Sequence, residues 1–420
     1  MWSGILWTMR LVIHDFGGYA FSAQLARTLA ARGHDVAYLH AVGLKAPRAA
    51  LSRRSDDPST LRVEGVRVAS VYRSAAGVRR LLQERQYGRN LAMAIAESSP
   101  DAVISANCPL DAQRHALRAA HRSGAGFAFW LQDLYSVAVM GLLRRKLGPL
   151  GSLIGERFGR LEQAILRESD AVVPIASDFN GVLARWGVPG DRITAIENWS
   201  PLDEVPMRPR KNAWASALGL VDQPVLLYAG TLGRKHDPHV LVALASRLPD
   251  AQVVVVADGV GADQLRRDRT LPPNLHLLPL QEAETVQLVL ASADVLVALL
   301  EPDAHAFSVP SKVLTYLAAG RPILAAMPAD NLAARIVRDN GAGIVVEPTD
   351  TNGAVRAAHR LLADPSLREL YGSAGRAYAE KNFDAEDKAD AFESVLTRIA
   401  RRSHTAPGAT ADTSQAARAQ

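Results

Sequence analysis

The amino-acid sequence predicts an α/β chain of two doubly wound, Rossmann-like domains that face one another across a cleft. Three observations carry that prediction. The chain has 420 residues, enough for two domains of ordinary size. Short β-branched or apolar runs alternate with amphipathic stretches along nearly its whole length, which is the rhythm of parallel sheets covered by helices. An aperiodic, proline-bearing stretch divides those runs into two sets, each sufficient for one sheet.

In chain order, Met1 to Thr8 is too short for a signal peptide, and Met9 reads as a start because Arg10 opens a strand directly. The first domain is expected over 9–199, with strands Arg10 to His14, Val36 to Leu39, Ala102 to Ser105, Phe127 to Leu131, Ala171 to Pro174 and Ile193 to Ile196. Residues 200–212 carry Pro201, Pro206 and Pro209 among mixed charges and read as a linker. The second domain is expected over 213–382, with strands Val225 to Tyr228, Gln252 to Val256, Leu275 to Leu278, Val295 to Ala298, Pro322 to Ala325 and Gly343 to Val346. A helix over 383–401 is expected to pack back towards the first domain. The tail 402–420 is small, polar and without period, and is expected to be disordered.

Composition excludes several classes. With 48% hydrophobic and 22% charged residues the chain is too apolar for general disorder. A single cysteine, Cys108, excludes a disulfide scaffold and a multi-cysteine metal site, and points to a reducing compartment. No apolar run approaches the roughly 18 residues of a membrane span.

The net charge of +5 is unevenly placed. Within 141–167, Arg144, Arg145, Lys146, Arg157, Arg160 and Arg167 stand against Glu156 and Glu162. Leu150, Leu153, Ile154, Phe158, Leu161 and Ile165 recur there at helical spacing. Such a segment, 139–167, fits a helix lying in a lipid headgroup layer or a core helix with a wet basic side. Residues 73–89 add five arginines against Glu84. Nucleic acid is the weaker partner for this charge, since no aromatic-rich basic groove or zinc spacing accompanies it.

In doubly wound domains ligands sit at the carboxyl ends of strands, so the loops there are where chemistry is sought. The first reads His14-Asp15-Phe16-Gly17-Gly18-Tyr19 ahead of a helix from about Phe21 to Arg32. Gly17 and Gly18 suit either a close backbone approach to an anion at the helix start or a tight turn. The second reads Gly230-Thr231-Leu232-Gly233-Arg234-Lys235-His236-Asp237, where two glycines and two adjacent cations suit a diphosphate. In the third, Ser308 or Ser311 is placed to cap a helix, with Pro310 in its first turn, Lys312 adding charge, and Gly320 ending it. This is an anion site or a plain connection between strands. Only seven lysines occur in the chain, and Lys235 and Lys312 are two of them.

Taken together, HDFGGYAFS, ARGHDV, WLQDLY at 130–135, ENW at 197–199, YAGTLGRKHD, ADG at 257–259, SADVLVALL at 292–300 and VPSKVLTYLAAGRPILA resemble the family 4 glycosyltransferases of GT-B fold. The resemblance spans about Met9 to Arg401 and is nearest to the bacterial exopolysaccharide subgroup of the colanic acid type. It implies that Arg234, Lys235 and the start of the Ser311 helix grip a donor diphosphate. It places a nucleobase at Leu278, Pro279 and Leu280, and turns Gly17 and Gly18 towards the same cleft. Two departures stand out. The family's paired glutamates fall at Phe307 and Thr315, and its pocket histidine is replaced by Gln132 ahead of Asp133. Asp133 is the remaining acid there and is assigned to the acceptor hydroxyl.

The expected reaction is transfer of a hexose from a UDP- or GDP-type nucleotide sugar. Retention of anomeric configuration follows from the resemblance. The sequence has no DxD motif, so cations and helix amides, and no metal, are expected to neutralise the leaving diphosphate. The acceptor is expected to be a lipid-linked sugar or a polysaccharide at the inner face of the cytoplasmic membrane, reached through 73–89 and 139–167, with the protein itself cytoplasmic and peripherally attached. Two other readings share the fold: a nucleotide-sugar epimerase, which needs carboxylates for proton abstraction that the cleft loops lack, and a non-catalytic partner of an active transferase.

Overall fold

The computed structural model describes residues 8–44, 51–68, 77–304 and 308–405. Two six-stranded parallel sheets form the framework. The first comprises β1 (Arg10–Asp15), β2 (Asp35–Val42), β3 (Leu61–Arg67), β4 (Ala102–Ala106), β5 (Gly126–Leu131) and β6 (Ala171–Pro174), in the order β3-β2-β1-β4-β5-β6. The second comprises β7 (Val225–Thr231), β8 (Gln252–Asp258), β9 (Leu275–Leu278), β10 (Val295–Leu299), β11 (Ile323–Ala326) and β12 (Gly343–Val346), in the order β12-β11-β10-β7-β8-β9. Both therefore have the same doubly wound order, reversing direction beside β1 in one sheet and β7 in the other. Strands β4, β5 and β10 are buried throughout, as parallel strands covered on both faces must be, and their sequences are nearly unbroken apolar runs.

Helices α1 (Ala20–Ala31), α2 (Gly77–Ser98), α3 (Leu110–Arg122), α4 (Tyr135–Glu168) and α5 (Asn180–Arg185) belong to the first sheet. Helices α6 (Ala213–Ala217), α7 (His239–Arg247), α8 (Val260–Arg267), α9 (Ala283–Ala291), α10 (Lys312–Ala318), α11 (Leu332–Asp339), α12 (Thr351–Ala363) and α13 (Pro365–Asn382) belong to the second. The last helix, α14 (Ala385–Thr405), returns to the first domain and packs on α1, β4 and β5. Its Phe392 ring lies 4.5 Å from Trp130, and Arg32 pairs with Glu386, Asp390 and Glu393 along its side. Helix α14 runs four residues past the expected boundary at 401, and residues 406–420 of the tail lie outside those described.

Two sequence expectations need correction. The sixth strand of the first sheet is β3, not Ile193 to Ile196. Strand β3 is an edge whose sequence Leu-Arg-Val-Glu-Gly-Val-Arg alternates with solvent, so it lacks an apolar run. Thr194 and Ile196 donate to Val172 and Pro174 carbonyls, but only the single bridge Val172 to Ile193 forms.

Next, the basic segment is not one straight helix. Gly148 adopts φ 55° and ψ −132° ahead of Pro149, and α4 folds back on itself as an antiparallel hairpin. A methyl group on Gly151 would meet the Leu143 carbonyl at 2.0 Å, and one on Gly155 would meet Met140, so glycines at four-residue spacing let the two arms touch. In the return arm of that hairpin, Glu162 is withdrawn from solvent. It is fully buried, and its carboxylate accepts from the Tyr135 and Ser136 amides at 2.9 Å each, closing the base of the hairpin.

Candidate functional site

The strand-order reversals bring the carboxyl ends of β1 and β7 to opposite walls of one cleft, about 300 Å³ in volume. The first domain contributes Tyr19, Asn107, Gln132, Asp133 and Trp199, and the connecting segment adds Ser200, Pro201, Glu204 and Val205. The second contributes Gly230, Thr231, Lys235, His236, Leu280, Gln281, Val309 to Lys312, Thr315 and Tyr316.

Lys235 is the centre of the polar contacts. Its ammonium lies 3.3 Å from an Asp133 carboxylate oxygen and donates to the Ser308 hydroxyl. Ser308 is itself buried and forms an antiparallel backbone bridge with Asp133, so the two domains meet here by main chain as well as side chain. Asn331 donates to the Ser308 carbonyl at 2.9 Å and fixes that segment from below.

Lys312 is half-buried, with its ammonium 3.7 Å above the Tyr228 ring, donating to the Tyr228 hydroxyl and to the Thr231 carbonyl at 3.4 Å. Desolvation holds it well below the usual lysine range, and the positive field of Lys235 adds to this. It has no carboxylate partner among the described residues. His236 is buried beside both lysines and accepts from the Gly233 amide at 3.0 Å. Burial, then Lys312 and Lys235, lower its pKa, so it is a neutral imidazole at pH 7. The cleft wall therefore offers negative charge two lysines, one of them with its charged form disfavoured until an anion arrives, against one facing carboxylate. Among the described residues no group of three His, Cys, Asp or Glu side chains could hold a metal ion.

The sequence-selected residues divide unevenly. Asp133, Gly230, Thr231, Lys235, Leu280, Ser311, Lys312 and Thr315 line the cleft. Gly233, Leu278 and Pro279 do not line it. Arg234 is exposed on the same loop as Lys235 without lining the cavity. Ser308 supports Lys235 from beneath and caps no helix, and Ser311 precedes α10 without a side-chain cap bond. Phe307 lies outside the described residues.

Gly17 and Gly18 do not offer their amides to a ligand. Both donate to the Asp15 carboxylate, at 2.9 and 3.2 Å, as do the Tyr19 amide, the Ser22 hydroxyl and Asn107. The turn at the start of α1 thus carries its own anion, buried with a pKa raised by desolvation. This corrects the anion-site reading in favour of a tight, self-satisfied turn.

Residues that sequence reasoning passed over include Tyr19, Asn107, Glu204, Gln281 and Tyr316. The Tyr316 hydroxyl accepts from the Ala229 amide at 2.9 Å and donates to the Ala229 carbonyl at 3.1 Å, holding the end of β7 against α10. Its signal was its position one turn after Lys312. Gln132 exchanges side-chain hydrogen bonds with Asn198, tying the WLQDLY and ENW segments together.

Residues 17–199 match the family model described as a glycosyl transferase 4-like domain, and residues 223–364 match glycosyl transferases group 1. The chain is 23% identical over 273 residues to the protein named for colanic acid biosynthesis glycosyl transfer, WcaI of Escherichia coli K12, covering 63% of this chain and 66% of that one. It is 28% identical over 165 residues to sulfoquinovosyl transferase SQD2 of Arabidopsis thaliana, covering 39% and 31%. The matched stretch thus spans less than two thirds of either relative. Among solved structures, sucrose-phosphate synthase from Thermosynechococcus elongatus superposes with a TM-score of 0.72 at 17% identity, covering 93% of this chain and 99% of that one. HepE of Anabaena, solved with UDP and glucose, superposes at 0.67 and 13%, covering 93% and 100%. These likenesses establish the fold.

Proposed function

We propose that this chain, in which a glycosyl transferase 4-like domain precedes a group 1 domain in a GT-B fold, is a hexosyltransferase that moves a hexose from a UDP- or GDP-type nucleotide sugar to a lipid-linked or polysaccharide acceptor at the cytoplasmic membrane face, with retention. The observation that carries this reading is the pair of lysines on one cleft wall: among the described residues Lys312 has no carboxylate partner and Lys235 faces a single one. A half-buried ammonium without a counter-ion is costly unless a ligand supplies the anion. A diphosphate does so, and its charge grows as the sugar leaves, which is when fixed cations lower the barrier.

In the reaction the bond from the sugar's anomeric carbon to the β-phosphate oxygen breaks, and the acceptor oxygen bonds to that carbon on the same face. The acceptor's proton passes to the departing phosphate oxygen. Lys235 and Lys312 neutralise that diphosphate, with the Thr231 and Ser311 segments beside it, Leu280 near the base and Thr315 towards the ribose. Asp133 accepts a hydrogen bond from the acceptor hydroxyl and orients it. Arg234 sits at the mouth of the loop, where it attracts the donor from solution.

The membrane part rests on two exposed surfaces of the first domain. Leu150 and Leu153, 61% and 60% exposed, crown one arm of the α4 hairpin near its turn, with exposed Arg144, Arg157 and Arg160 nearby. On α2, exposed Leu82 and Met93 are interleaved with Arg79, Arg85 and Arg89. Apolar side chains ringed by arginine suit an anionic headgroup layer. No described helix is long and apolar enough to cross a membrane.

The test is a thermal-shift and calorimetric screen of the whole chain against UDP, GDP, ADP and dTDP and their sugars. Stabilisation by a UDP or GDP species, lost in Lys312→Met, supports the reading. Absence of a shift with every nucleotide refutes it.

A further inference from the structure

Directly after Asp133 the chain turns into α4, and the first turn of that helix is held from two sides. Glu162, on the far arm of the hairpin, takes the Tyr135 and Ser136 amides on separate carboxylate oxygens at 2.9 Å each. Arg80, on α2, donates to the Tyr135 hydroxyl and pairs with buried Glu84 at 2.6 Å. A fully buried carboxylate is expensive to keep, and 27 residues of chain separate Glu162 from the amides it serves. An ordinary N-cap residue at the helix start would have satisfied those amides locally. Leu134 occupies that position instead and makes no side-chain cap bond.

We propose that Glu162 is a positioning residue for sugar transfer: by capping the first turn of α4 from the return arm of the hairpin, it fixes Asp133 at the angle that meets the acceptor hydroxyl. The proposal rests on the functional reading above, in which Asp133 serves the acceptor. It gives the hairpin a purpose beyond packing. The arm that carries exposed Leu150 and Leu153 at its outer end carries Glu162 at its inner end, so one helical arm links the tip of the hairpin to the cap beside Asp133. Burial, and after it the Asp133 charge, disfavour ionisation of Glu162, while the hydrogen bonds from the first turn of α4 favour it.

The experiment compares the full-length parent with Glu162→Gln, Glu162→Asp, Asp133→Asn and the double variant Glu162→Gln/Asp133→Asn. Binding of UDP and GDP is followed by calorimetry. Turnover of UDP-glucose and GDP-mannose is split into hydrolysis by water and transfer to octyl β-glucoside. The positioning role predicts that Glu162→Gln keeps nucleotide affinity within about twofold while the ratio of transfer to hydrolysis falls by about tenfold or more, as displacement of a reacting group does. The same role predicts that the double variant is no worse than Asp133→Asn alone, since the first residue acts only through the second.

Multiplying losses in the double variant would overturn the proposal, as would equal falls in binding, hydrolysis and transfer. Glu162→Asp guards against misfolding: it keeps the charge but shortens the reach, and it should melt near the parent while showing a reduced ratio. A parent that binds neither UDP nor GDP would overturn the functional reading itself and the positioning role with it.

Discussion

The ammonium of Lys235, on the second domain, lies 3.3 Å from the carboxylate of Asp133, on the first, so the cation assigned to the leaving group is held by the acid assigned to the acceptor. Both side chains are partly exposed, at 34% and 42%, which limits the pair to about 0.5–1 kcal/mol. A donor diphosphate therefore displaces the carboxylate at small cost. Asp133→Asn is expected to bind UDP or GDP about twofold to fivefold more tightly at low ionic strength while losing transfer. Calorimetry beside a transfer assay reads both; weaker nucleotide binding in the variant would show that the pair does not compete with the donor.

Lys235→Ala should lower kcat by about a hundredfold, the usual effect of losing one group that meets charge developing in the transition state. Arg234→Ala should act mainly on the association rate and its salt dependence, because Arg234 is exposed and off the cleft wall. Steady-state and stopped-flow measurements separate the two. Equal losses of kcat would mean that Arg234 swings into the site.

Lys312→Met tests the cost of the ammonium that has no carboxylate partner among the described residues. The substitution keeps an unbranched side chain one atom shorter and removes a charge disfavoured by desolvation and by Lys235. Melting temperature is expected to hold or rise, while nucleotide affinity falls by about tenfold or more. A fall in both would assign Lys312 to structure.

Much of this architecture is legible in the sequence because buried parallel strands are uninterrupted apolar runs, as in β10. Strand β3 is illegible for the opposite reason: an edge strand whose Arg62 pairs with Asp35 and Glu64 looks like a charged loop. The lysine loop could be read because cations next to glycines after a strand are uncommon and their chemistry is local. Asp15 and Glu162 could not be read as caps. Whether a carboxylate reaches a given amide depends on how the chain returns, and Glu162 sits where a single helix would put it in water. The clue to the hairpin was present as Gly148-Pro149 followed by Gly151, Gly155 and Gly159, a small-residue face next to a break.

The hairpin and α2 make a quantitative claim about lipid. Each arginine near an anionic surface contributes about 1 kcal/mol, and exposed leucines add to it on insertion. Leu150→Ser/Leu153→Ser and Arg157→Gln/Arg160→Gln should each reduce co-sedimentation with phosphatidylglycerol-containing vesicles at low salt by about tenfold, with uncharged phosphatidylcholine vesicles binding neither. Parent protein that stays in the supernatant with anionic vesicles would remove the membrane from the reading.

His14 gives a pH prediction that stands apart from catalysis. It is fully buried beneath the first loop, with its two ring nitrogens facing the Ser105 and Tyr87 hydroxyls at 2.7 and 2.8 Å. Desolvation, helped by His40, lowers its pKa to about 3. The sign follows from the proton count. Below about pH 6.5 the unfolded chain takes up a proton on this histidine and the folded chain does not, so its contribution to stability is complete above pH 6.5 and is lost as pH falls towards 3. The slope is about 1.4 kcal/mol per pH unit for one proton. Asp15 and Glu162 act oppositely, because burial raises their pKa values and the fold takes up their protons first. The difference between the parent and His14→Gln isolates the histidine from them. Urea unfolding between pH 6.5 and 4.5 should show the parent losing stability relative to the variant by that slope. Parallel curves would mean that His14 is protonated in the fold.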